Sequence, residues 1–77
     1  MKKIHYNRLR FILEEKRVPN KRLAIELGVS QQTVSRWRNN ITQPSLESLY
    51  KIATYLETDV RLLLESTVRE NNGVAVT

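Results

Sequence analysis

The chain has 77 residues, of which 40% are apolar; it has no cysteine and a single histidine. Its length suits one small domain with a thin core, since a chain of this size buries only about 60% of the surface it exposes when unfolded, and no disulfide or thiolate metal site can help hold it. The formal charge of +5 is unevenly placed: residues 1–40 hold ten Lys/Arg against three Glu, residues 41–77 three Lys/Arg against five acids.

Leu9, Ile12 and Leu13, with Tyr6 as an outer member, recur at three- and four-residue spacing and predict a first helix over residues 6–16. Pro19 ends it, because proline disfavours helical backbone in the residue before it. Residues 20–27 form a short second helix opened by Pro19 or Asn20, with Leu23, Ala24 and Leu27 inward. Gly28 closes it with a positive φ. Val29 is an apolar plug and Ser30 the N-cap of a third helix over residues 31–39, on which Val34, Trp37 and the following Ile41 cluster to one side. Ser45 caps a fourth helix, residues 46–56, whose stripe is Leu46, Leu49, Ile52, Ala53 and Leu56, with Tyr50 on a flank. Asp59 caps a fifth, with Val60, Leu63 and Leu64 inward. Residues 1–66 then make the domain, and residues 67–77 a non-helical tail in which Asn72-Gly73 is a turn and Val74 and Val76 favour extended chain. The tail is either disordered or paired with a partner, and with Val60 and Leu64 it is the candidate dimer surface.

Nothing in this pattern suggests an enzyme, since there is no metal set, phosphate-cradling glycine loop or catalytic carboxylate pair. His5 has no histidine partner for a metal, and no cofactor or small-molecule ligand is expected. The longest apolar run, Leu62-Leu63-Leu64, is far short of the roughly 20 residues that span a bilayer. The N-terminus lacks the apolar stretch of a secretory signal, so no membrane and a cytoplasmic address are the default expectation.

The charge asymmetry suits a polyanionic partner on one face, although a plain solubility charge would explain the composition as well. The second and third helices decide between them. Their crossing needs a small residue, here Ala24, a left-handed residue at the turn, here Gly28, and an apolar anchor, here Val34, with Trp37 a turn later. This is a helix-turn-helix.

The stretches "NRLRFILEEKRV", "LAIELGVSQQTVSRW", "QPSLESLYKIATYL" and "DVRLLL" occur in order between Asn7 and Leu64. In them the chain resembles the Cro/cI-type, or Xre, repressor domain over about three quarters of its length. The resemblance implies an all-α, compact five-helix lambda-repressor-like fold whose third helix enters the major groove of double-stranded DNA. Two positions depart from the family pattern. An arginine late in helix one and a glutamate after the tryptophan position, which form a salt bridge in many members, are here Leu13 and Arg38. Both partners change together, leaving no orphaned charge but adding a cation beside the third helix. Pro19 stands where the family usually has a threonine-like cap.

A helix-turn-helix presents the first residues of its recognition helix to base edges. A glutamine amide pairs bidentately with adenine, and arginine with guanine. The expected base readers are Gln31, Gln32 and Arg36, with Ser35 a minor one. Asn20, at a helix N-terminus where free N–H groups favour an anion, heads the phosphate-contacting set. Lys21, Arg22, Arg38, Asn39, Asn40 and Arg10 complete it, with Thr33 either touching phosphate or packing. Trp37 belongs to the core rather than to a base stack, Tyr6, Tyr50 and Tyr55 to the core's edge, and Glu14, Glu15 and Glu47 to solvated helix faces. Lys2 and Lys3 are either a frayed terminus or a minor-groove arm.

The function expected is a sequence-specific transcriptional regulator, repressor-like. An antitoxin or protein-interaction module on the same fold is the alternative. A homodimer and a toxin are the protein partners left open.

Overall fold

The computed structural model describes residues 4–68. The expected tail beyond Val68 and the Lys2-Lys3 arm lie outside them. Among the described residues there are four α-helices, α1 (Leu9–Glu15), α2 (Asn20–Leu27), α3 (Gln31–Arg38) and α4 (Leu46–Leu56), followed by a 3-10 turn at Val60–Leu63. The all-α architecture expected from the sequence is present, but the fifth element is a single tight turn rather than an α-helix. Asp59 does cap it, accepting from the Arg61 N–H at 2.9 Å. The Arg61 side chain closes on the same carboxyl, and its bonds, seconded by that backbone N–H, hold the Asp59 pKa at about 2, below the ordinary 3.8.

One cluster forms the core: Leu9, Ile12 and Leu13 from α1, Leu23 and Ala24 from α2, Val34 and Trp37 from α3, Leu49, Ile52, Ala53 and Leu56 from α4, and Leu63. Val18, Leu27, Val29, Tyr55 and Val60 pack around it. Several expected members are missing, Tyr6 and Tyr50 of its edge among them. Leu46 is 69% exposed and Ile41 64% exposed, and Leu64 is also exposed. Ile41 fails because α3 ends at Arg38 and the chain reverses at Asn40, whose φ is 58°, so helical spacing no longer applies. Leu64 fails because it leaves the tight turn in extended backbone and pairs with Asn7 in an antiparallel bridge.

The same bridge shortens the first helix. Tyr6 and Asn7 are extended against Leu64 and Glu65, with Arg8 N–H donating to the Leu63 carbonyl at 2.8 Å and Glu65 N–H to the Tyr6 carbonyl at 2.9 Å. Asn7 Oδ1 then accepts from the Leu9 N–H, and the helix begins there. Tyr6 therefore leaves the apolar stripe and is exposed.

Each α-helix is followed by a residue with positive φ: Arg17, Gly28, Asn40 and Glu57. Behind each, a backbone N–H reaches back to the last turn, as in Val18 to Leu13, Val29 to Ala24, Ile41 to Arg36 and Thr58 to Ala53, at 2.9–3.0 Å. This is the left-handed stop that satisfies terminal carbonyls. Only Gly28 adopts it without a side-chain penalty.

Candidate nucleic-acid interface

The pairing of α2 with α3 places the site. Ala24, 3% exposed, is buried on α2, and Val34 and Trp37 anchor α3 to the same core. Gly28 makes the turn at φ +70°. Ser30 Oγ accepts from the Thr33 N–H at 3.0 Å and so opens α3. The outward face of α3 is left polar.

Gln31, Gln32 and Arg36 are exposed on that face, and their side chains make no hydrogen bond to other described residues. Ser35, on the same face, is half-buried, and its hydroxyl receives a long 3.4 Å contact from Asn39 Nδ2. Thr33 is half-buried with its hydroxyl 2.9 Å from that of Ser30, so its oxygen is engaged in the cap.

The expected phosphate ligands divide. Lys21 and Arg22 are exposed and free of ion pairs among the described residues. Arg10 donates to Asn39 Oδ1, and Asn39 Nδ2 donates to the Ser35 carbonyl at 2.9 Å, which ties α1 to the end of α3. Asn40 leaves the set. It is buried, and its carboxamide joins the N–H groups of Tyr6 and Asn7, the Asn7 carbonyl and Gln43. Its polar atoms are spent inside the protein.

Arg38 is not the added free cation expected beside α3. Its Nη2 meets Glu14 Oε2 at 3.0 Å and its Nη1 meets Asn20 Oδ1 at 2.8 Å. The ion pair between the first and third helices thus exists with its charges exchanged and its α1 partner one residue beyond Leu13. By sequence Glu14 is a solvated helix-face charge; the reversed sign at position 38 is the signal that calls for an acid near the end of α1. Asn7 and Gln43 were missed too, since isolated amides carry no periodic signal. Asn7 Nδ2 donates to the Trp37 carbonyl at 2.9 Å and to Gln43 Oε1 at 2.8 Å.

At the start of α2, Pro19 occupies the N-cap and supplies no side-chain acceptor. The α2 N–H bonds to Pro19 begin with Arg22, so the N–H groups of Asn20 and Lys21 stay available, as the first donors of a helix do.

With that geometry, the sequence matches the helix-turn-helix family over residues 9–63. The chain belongs to this Cro/cI-type helix-turn-helix family. No curated protein matches it. A solved structure from Bacteroides fragilis, provisionally described as that of a DNA-binding protein, is 42% identical with a TM-score of 0.78, over 80% of this chain and all of the other. The family is one of DNA-binding regulators. Among the described residues, no helix is long and apolar enough to cross a membrane.

Proposed function

We propose that this helix-turn-helix protein is a sequence-specific, repressor-like transcriptional regulator that reads the major groove of double-stranded DNA with α3. The supporting observation is the unspent state of Gln31, Gln32 and Arg36. Three long polar side chains share the outward face of a helix anchored by Val34 and Trp37, and among the described residues none has a hydrogen-bond partner. Bidentate pairing of such groups with base edges discriminates by about 1–3 kcal/mol per contact. Ser35 adds a minor contact. Lys21, Arg22 and Arg10 lie close to phosphates, with Asn20 and the open start of α2 as a neutral phosphate seat. Asn39 positions Arg10. A single α3 covers only a few base pairs, so two copies occupy half-sites roughly 34–36 Å apart.

Selection of binding sites from random duplex DNA at two salt concentrations tests this reading. A short preferred motif should emerge, and Gln32→Ala and Arg36→Ala should each relax the preference at particular positions. Enrichment of no motif, or unchanged preference in both variants, defeats it. Partner capture that survives high salt, with duplex binding no better than that of any basic protein, would instead favour a protein-interaction module.

A further inference from the structure

The guanidinium of Arg38 has five N–H donors and no acceptor. The Asn20 atom 2.8 Å from its Nη1 is therefore necessarily the amide oxygen, whichever way the amide is drawn. That contact leaves Asn20 Nδ2 as the side chain's remaining polar atom, a pure donor with no partner among the described residues. It sits on the first residue of a helix whose N-cap is Pro19 and whose Asn20 and Lys21 N–H groups are unclaimed.

Arg38 is itself poorly placed to serve as a free phosphate ligand. Its side chain is 22% exposed, and its second arm is held by Glu14, which neutralises it. From these contacts we propose that Arg38 is a positioning residue: it fixes the Asn20 carboxamide with its oxygen inward, so that only donors remain at the start of α2 for a phosphate oxygen. Without that tie the amide is free to turn and present its oxygen to the anion. Glu14 fixes the guanidinium in turn, so the exchanged ion pair acts through a third residue on α2. This assignment rests on the DNA-binding reading above and identifies what orients one of its phosphate contacts.

Salt dependence separates positioning from direct contact, because each phosphate neutralised by a cation adds about 0.9 to the log–log slope, and a neutral amide adds none. Binding of a mixed-sequence duplex is measured across a salt series, with circular dichroism melts for every variant. Every Arg38 variant also carries Glu14→Gln, so that no unpaired carboxylate remains; Arg38→Met should then weaken binding about tenfold, the scale of one charge-assisted hydrogen bond, with an unchanged slope. Arg38→Met combined with Asn20→Ala should bind no more weakly than Asn20→Ala alone. Asn20→Asp keeps the tie to Arg38 and the fold but offers an oxygen where a donor stood, and should bind more weakly than Arg38→Met.

A slope reduced by about 0.9 in Arg38→Met would make Arg38 a direct phosphate ligand and overturn the assignment. Additive losses in the double variant, or wild-type binding by Asn20→Asp, would overturn it equally. A wild-type protein that binds no duplex at low salt removes the DNA-reading proposal as well, whereas normal wild-type binding with any of those results removes only the role of Arg38.

Discussion

Asn40 and Asn7, 33 residues apart, are joined backbone to side chain in both directions: Asn40 Oδ1 accepts from the Asn7 N–H at 2.9 Å, and Asn40 Nδ2 donates to the Asn7 carbonyl at 3.1 Å. Asn40 also terminates α3 at φ 58°. One residue thus ends α3 and holds the segment that leads into α1. Removing the amide orphans the Asn7 and Tyr6 N–H groups, at about 1–3 kcal/mol for each one left buried. We expect Asn40→Gly, which keeps the backbone conformation, to lose about 2–3 kcal/mol in urea unfolding. Asn40→Ala should lose about 1 kcal/mol more, for its positive φ. A glycine variant as stable as wild type would refute the structural role.

At Gly28 an added Cβ would meet nothing within 4 Å, so only the backbone conformation resists substitution. Gly28→Ala should therefore cost about 1–2 kcal/mol, the left-handed penalty alone, with Gly28→Asn less costly. A far larger loss would mean that the turn is crowded.

Glu57 presents the converse case, a non-glycine at φ 54°. Relief of about 1–2 kcal/mol of left-handed strain outweighs the extra unfolded-state freedom of glycine, at about 0.4–1 kcal/mol. Glu57→Gly should raise stability by about 0.5–1 kcal/mol, visible as a higher melting temperature. A lower one would contradict the conformation.

Hydrogen bonds from Arg61 depress the Asp59 carboxyl to about 2 from 3.8. A group whose folded pKa is lowered stabilises the fold above its unfolded pKa and loses that contribution as pH falls through its folded one. The difference in melting temperature between wild type and Asp59→Asn should be constant above about pH 5 and should close between about pH 4 and pH 2. A gap that persists to the acid limit would rule out the ionised cap as its source.

Lys21 and Arg22 are exposed and unpaired among the described residues, unlike Arg38. Lys21→Ala and Arg22→Ala should each lower the log–log salt slope of duplex binding by about 0.9 while weakening all sequences alike. Slopes equal to wild type would place both away from the phosphates.

Local chemistry made the framework legible. Ser30, Ser45 and Asp59 act as caps, and Gly28 turns left-handed, because each function needs only a few neighbouring residues. Periodicity was less reliable at element ends. It gives the direction in which Leu46 points but not whether anything covers it, and it sets Ile41 beside Val34 and Trp37 across a reversal that Asn40 imposes. The least legible contacts were the long-range polar ones: Asn7 with Gln43, and Glu14 with Arg38, are ordinary surface residues until the fold brings them together. At the interface, residue type singled out Gln31, Gln32 and Arg36, but only coordinates separate the exposed Lys21 and Arg22 from the occupied Arg38 and the buried Asn40.

The bridge between Asn7 and Leu64 has a topological outcome. The folded unit starts and finishes at neighbouring points on its surface. Chain extending from either side departs from one common root, so a fused label or a second copy in tandem can be tethered there through a short linker without stretching across the molecule.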